Sequence, residues 1–214
     1  MRIGSTILAN DKAPRVSAFP RRHRFDILRR WLATGIALAI LCATPCSAGR
    51  GATDARKYAV IAAFLYNFFL YVEWPDDPDL NEGPLTIGVL GDNPFGEALN
   101  ALEKRHVQGR AIEVLLFDSV ESLVGTHILF LPTTSTGRLP EVHRALKGRP
   151  VLTVGESENF TRNGGVVRFF ETGDAQRIGV EINQTAAAAL QLRIRAKLLR
   201  LASLVEYPLP APNS

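Results

Sequence analysis

Cysteine is nearly absent from this chain. Two occur among its 214 residues, Cys42 and Cys46, and both fall in the first 48, so nothing downstream can form a disulfide. Histidine is scarce as well. Beyond position 48 there are only His106, His127 and His143, too far apart in sequence to form a recognisable ligand run. Asp76, Asp77 and Asp79 cluster, but no Asp-x-Asp-x-Asp-Gly loop with a distal glutamate follows, so neither zinc nor calcium is expected. The glycines fit neither a P-loop nor a dinucleotide fingerprint. Gly155-Glu156-Ser157 begins like a nucleophile elbow, yet Asn159 stands where the second glycine would be needed. With no catalytic constellation, metal site or cofactor motif to name, the expectation is a binding protein and not an enzyme.

Long apolar runs are missing too. The longest near the N-terminus, Trp31–Leu41, is about half of the roughly twenty residues a helix needs to cross a hydrocarbon core. It follows a positive stretch of Arg21, Arg22, Arg24, Arg29 and Arg30 and precedes the small residues Ser47-Ala48-Gly49. These three parts in order make residues 1–48 a secretion leader cleaved near Ala48, sending the chain out of a bacterial cytoplasm. The positive stretch is long, which leaves a downstream start at Val16 or Leu28 open. Phe25 sits one residue late for a twin-arginine signal, and Leu41 and Pro45 before the two cysteines argue against a lipid anchor.

The excess of positive charge belongs to the leader. Taking its 8 basic and 2 acidic residues from the chain's 25 and 21 leaves 17 basic and 19 acidic in the remainder. A nucleic-acid partner, which calls for a basic footprint on the folded domain, is thereby excluded.

What remains is long enough for one core, and its pattern alternates. A helical stretch from about Thr53 to Trp74 is apolar over much of its circumference. Strand-like runs follow at Leu85–Leu90, Ile112–Phe117, His127–Leu131 and Pro150–Val154, separated by helical pieces. The Gly165–Glu171 and Ala175–Asn183 runs, joined by Thr172-Gly173-Asp174, read as a hairpin. A last helix is expected over Gln184–Val205, then a flexible tail from Pro208. The fold class is α/β: a single domain over 49–207 with a mixed, mainly parallel sheet and helices on both faces, three layers in a Rossmann-like arrangement.

Three features invite a functional reading. Phe64, Tyr66, Phe68, Tyr71 and Trp74 crowd the first helix with rings, more than a single core calls for, and suggest a face shared with a partner or a second copy. Arg193, Lys197 and Arg200 recur at i, i+4 and i+7 of the expected last helix, a stripe suited to an acidic partner. Gly91-Asp92-Asn93-Pro94-Phe95-Gly96 joins a strand to a helix; Asn93 can cap that helix, and Gly91, Asp92, Asn93 and Gly96 are candidates for holding an anion. Each has a plainer reading as core, solvated face and tight turn.

Several segments together resemble the YfiR-like periplasmic proteins: Ala62–Phe68 with Val72-Glu73-Trp74-Pro75, Leu85–Gly96 with Val107-Gln108-Gly109-Arg110, Val151–Ser157, and Gly164–Val167 through Val180–Asn183 to Lys197–Ala202. The resemblance implies a small periplasmic α/β domain, often a homodimer, that restrains an inner-membrane signalling protein such as a diguanylate cyclase by binding its periplasmic part. An outer-membrane lipoprotein would relieve that restraint. A periplasmic small-molecule (anion) binding protein and an accessory subunit of a sensor kinase are the alternatives. Many members carry a cysteine before the histidine of the third strand; here Thr126 precedes His127, which removes disulfide or redox control through that position.

Overall fold

Ile61, Leu65, Phe68 and Phe69 fall on one side of a helical turn and are all buried, while Ala55, Arg56, Ala59 and Ala63 on the other side are exposed. This amphipathic stretch forms α1, Ala48–Tyr71. The computed structural model describes residues 48–76, 78–123, 125–146, 148–173 and 177–209. The leader expected over 1–48, Ala48 apart, and the tail beyond 209 lie outside the described residues.

The expected end of α1 at Trp74 is corrected. Val72–Glu73 instead forms β1, paired antiparallel with β9, Arg193–Ile194. β-Branched Val72 suits that pairing, and Trp74 precedes Pro75, whose ring disfavours helical backbone in the residue before it.

Behind α1, short helix α2 (Pro78–Asn81) leads to β2 (Leu85–Leu90), whose six residues are all buried. Then come α3 (Glu97–Glu103), β3 (His106–Val107), β4 (Arg110–Phe117), a 3₁₀ turn at Val120–Ser122 and β5 (Ile128–Leu131). A second 3₁₀ turn, Thr133–Arg138, runs into α4 (Leu139–Leu146), then β6 (Leu152–Gly155), β7 (Val167–Thr172) and β8 (Arg177–Asn183). The main sheet has the order β10-β8-β7-β6-β5-β2-β4-β3, with β10 at Ser203–Val205. Its β4, β2, β5, β6 and β7 are mutually parallel; β8 is antiparallel to β7, β10 parallel to β8, and β3 antiparallel to β4. The sheet is thus mixed and mainly parallel, as the alternating pattern implies.

Strand alternation divides the core into two layers. Ile87, Val89, Ile128, Phe130, Leu152 and Val154 pack with α1 and α3 on one face. Leu90, Leu129 and Leu131 pack with Leu139, Val142 and Leu146 of α4, and with Phe160, on the other. Each such fully buried side chain contributes about 1.5–3 kcal/mol relative to exposure.

The expected last helix is the largest correction. Asn183 caps only α5, Gln184–Ala189, through Ala186 N–H. Gln191 then takes a left-handed φ of 56°, β9 turns to meet β1, and α6 (Ala196–Leu199) and β10 complete the segment. Ala, Leu and Arg favour helix locally, but pairing with Val72–Glu73 and with β8 prevails. Arg193, Lys197 and Arg200 therefore do not share a helix face. The cap expected of Asn93 is corrected as well: α3 starts at Glu97 after Gly96, and Asn93 Oδ1 instead accepts from Phe95 N–H at 2.9 Å.

Candidate interaction site

The C-terminal segment wraps the end of α1 and then supplies the edge strand of the sheet. Arg195 N–H donates to the Tyr71 carbonyl at 2.8 Å, fixing β9 against the helix end. Glu73 lies 2.9 Å from Arg195 Nε and 3.9 Å from Arg193 Nε, one carboxylate serving two guanidinium groups. Lys197 Nζ donates to Tyr71 Oη at 2.8 Å and sits 4.9 Å from that ring's centroid. Arg200 is exposed on the turn after α6. Four cations thus face solvent within eight residues, with Glu73 their one carboxylate partner among the described residues.

Apolar exposure concentrates immediately beyond. Of five large apolar side chains exposed among the described residues, Leu201, Leu204 and Leu209 belong to this segment; Leu201 is 67% exposed. Leu204 lies on β10, whose far side pairs with no described strand. Exposed leucines on and beside an open edge, next to basic residues, form a surface suited to an extended partner.

The ring-rich first helix serves its own domain. Phe68, named above for a shared face, is 0% exposed and stacks on Phe169 with centroids 6.1 Å apart, so it is core. Phe64 packs on the same ring at 5.4 Å. Tyr66 lies under the Arg105 guanidinium at 5.0 Å, Tyr71 under Lys197, and Trp74 against Phe69 and His127. All but Phe68 are half-buried.

The Gly91–Gly96 loop closes a crevice. β2 and β5 are neighbours, yet the helices that follow them, α3 and α4, pack on opposite faces, which splays the loops after the two strand ends. Phe95 fills the opening, edge-on to Phe130 at 4.7 Å and to Tyr58 at 5.3 Å. Gly91 has φ 90°, and a Cβ there would stand 2.4 Å from Ser135 Oγ, so the two loops meet at a spot only glycine permits. Half-buried Gly91 and exposed Asp92, Asn93 and Gly96 thus form a tight turn, with Glu97 placing negative charge at the start of α3.

At the same end of the sheet, after β6, Glu156 is buried to 4% side-chain exposure. It accepts from Tyr58 Oη at 3.0 Å and pairs with Lys57 Nζ at 2.5 Å. Burial first, then the Glu156 charge and hydrogen bond, push the Tyr58 phenol well above its ordinary value. None of this was readable from spacing, because Lys57 and Tyr58 are 98 to 99 residues from Glu156.

The family whose sequence model matches is described as DUF4154, YfiR/HmsC-like, and the match runs over residues 58–203. The chain belongs to the YfiR/HmsC-like family. This is a family of periplasmic regulators of cyclic di-GMP signalling. Among the described residues no helix is long and apolar enough to cross a membrane. The matched span takes in α1 from Tyr58 through the start of β10 and leaves Leu204 just outside. Among solved structures the chain is similar to the ABC domain in complex with L-Trp from Streptococcus pneumonia, at 14% identity and TM-score 0.41, covering 56% of this chain and 55% of that one.

Proposed function

We propose that this YfiR/HmsC-like chain works in the periplasm by protein–protein binding, without catalysis, and restrains an inner-membrane signalling protein such as a diguanylate cyclase. The observation that carries the reading is the C-terminal surface, where exposed Leu201, in the turn before β10, and exposed Leu204, on the open sheet edge, adjoin Arg193, Arg195, Lys197 and Arg200. Against a remainder with 17 basic and 19 acidic residues, such a local cationic patch marks an acidic partner surface. Restraint follows if the chain binds the inactive conformation of its partner better than the active one, since a ligand shifts an equilibrium only through that difference. An outer-membrane lipoprotein competing for the same surface would release it.

The test is deletion of the gene in its native host, with cyclic di-GMP measured in cells complemented by an exported copy, a leaderless copy, and an exported Leu201→Glu/Leu204→Glu copy. The reading expects a rise on deletion that only the exported wild-type copy reverses. An unchanged level on deletion, under conditions where the protein is made, would sink it.

A further inference from the structure

We infer that the partner completes the sheet at β10: an extended, acidic segment of it lies along the open side of this strand and pairs with the backbone of Leu204. The phase of the strands decides which groups are free. Asn183 N–H donates to the carbonyl of Val166, the residue that leads into β7, at 2.9 Å, so the backbone of Asn183 turns toward β7. Successive residues alternate sides, and the amide and carbonyl of Ile182 therefore turn the other way, toward β10. β10 runs parallel to β8 with Leu204 beside Ile182. In a parallel ladder a residue turned toward its neighbour bonds to the two residues flanking its partner, here Ser203 and Val205. The amide and carbonyl of Leu204 then face away from the sheet, where no described strand meets them. Its side chain follows Ile182 into the layer of α1 and is 46% exposed. Neither charge nor proline in Ser203-Leu204-Val205 blunts this edge.

Charge selects the occupant. Arg200 stands on the turn that leads into β10, Lys197 precedes it on α6, and Arg193 and Arg195 lie on and beside β9. Lys197 is held by the Tyr71 hydroxyl, a neutral group, at 2.8 Å, and Glu73 is the one described carboxylate paired with Arg193 and Arg195. A second copy seated on this edge would bring the same four cations toward it, and a basic segment would be repelled in the same way. An acidic strand answers both features: its main chain pairs with the Leu204 amide and carbonyl, and its carboxylates meet the cations. Exposed Glu206 follows β10 directly, so the partner's carboxylates belong at the Arg200 end of the strand and not at the Glu206 end. Resting on the reading of the C-terminal surface as the partner site, this strand addition specifies how the partner is held.

The experiment follows the Leu204 and Val205 amides of the isotope-labelled full chain by NMR while two synthetic peptides are added, acetyl-Glu-Glu-Val-Thr-Val-amide and its Lys-Lys counterpart. The acidic peptide is expected to shift both amides and, at saturation, to slow exchange of the Leu204 amide at least about tenfold. The basic peptide is expected to do neither. Leu204→Pro removes only an outward N–H, which an edge strand tolerates. That variant is expected to keep a native circular dichroism spectrum and to lose the acidic peptide, read at Val205, whereas Leu204→Val keeps both. No response to the acidic peptide, an equal response to the two peptides, or undiminished binding by Leu204→Pro would each overturn the inference. Should Leu204→Pro lose its native spectrum, the contrast between the two peptides on the parent chain still decides. In cells, normal restraint by an exported Leu204→Pro copy would overturn the strand addition alone and leave the partner reading standing. An unchanged cyclic di-GMP level on deletion is the separate failure of that reading, and the strand addition falls with it.

Discussion

Tyr58 donates its hydroxyl to Glu156 at 3.0 Å, while Lys57, one residue earlier, closes on the other carboxylate oxygen. A buried carboxylate is tolerated only where it is paired and hydrogen-bonded, and these two neighbours on α1 supply both. The contact ties the N-terminal part of α1 to the loop after β6. Tyr58→Phe removes one hydrogen bond to a charged group and keeps the ring against Phe95. It should cost about 1.5–3 kcal/mol, read as a lower urea midpoint with an unchanged slope. Glu156→Ala, which strands Lys57 and Tyr58 together, should cost no less.

The same phenol gives an alkaline signature. Its folded value lies above the ordinary 10.0, so the folded protein keeps a proton that the unfolded chain releases near that pH. Stability from this group is full below pH 10 and falls as the pH rises above it. Spectrophotometric titration should show one of the chain's four tyrosines ionising only with unfolding, and Tyr58→Phe should abolish that late step.

His143 gives the acid counterpart. Burial lowers its value below the ordinary 6.5, and a hydrogen bond to the backbone of Gly164 opposes that shift in part. The unfolded chain therefore takes up a proton at a higher pH than the folded one. Stability is full above pH 6.5 and declines as the pH falls through the window between the two values. His143→Asn should flatten the dependence of unfolding free energy on pH between neutral and mildly acidic conditions. An equally steep profile in the variant would show that other groups carry it.

Much of the scaffold was legible because its strands are short, apolar and separated by turn residues. Leu85–Leu90 reads as a buried strand and is one, and Thr172-Gly173 marks the β7–β8 hairpin in the expected place. The C-terminal segment was not legible, because its breaks are made by distant partners. No glycine or proline interrupts Gln184–Val205, yet β9 leaves the helix to pair with Val72–Glu73 and β10 leaves it to pair with β8. Arg193, Lys197 and Arg200 accordingly lie on β9, α6 and the turn after it, not on one helical stripe. His127, expected to open the third strand, stands directly before β5, but its burial and partners are set by distant residues. Here it is 2% exposed, its Nδ1 accepting from Thr86 N–H at 3.1 Å and its Nε2 lying 3.0 Å from the Leu80 carbonyl.

Asn183 holds the C-terminal segment to the core. It is fully buried, accepts from Ala186 N–H at 3.2 Å and Tyr207 N–H at 3.4 Å, and donates to the carbonyls of Thr161 at 3.0 Å and Tyr207 at 3.2 Å. Asn183→Leu forfeits a helix cap and leaves buried polar groups unpaired, at a cost of about 2–4 kcal/mol. Amide exchange at Tyr207 should accelerate more than exchange within β2. Uniform acceleration would mean that the residue supports the whole fold and not this segment.

Core and contact surface separate most sharply at two residues first considered for the same role. Phe68 is enclosed by Phe64 and Phe169, so Phe68→Ala should cost about 3–5 kcal/mol and lower the amount of folded protein in cells. Loss of restraint in that variant would say nothing about contact with a partner. Arg200, exposed beside Leu201, has the opposite profile: Arg200→Glu should move stability by less than about 0.5 kcal/mol. If the C-terminal surface binds an acidic partner, that variant is made at the normal level and still fails to lower cyclic di-GMP, because a like charge has been introduced where complementarity is needed. Normal restraint by Arg200→Glu, together with normal restraint by Leu201→Glu/Leu204→Glu, would move the partner surface elsewhere on the domain.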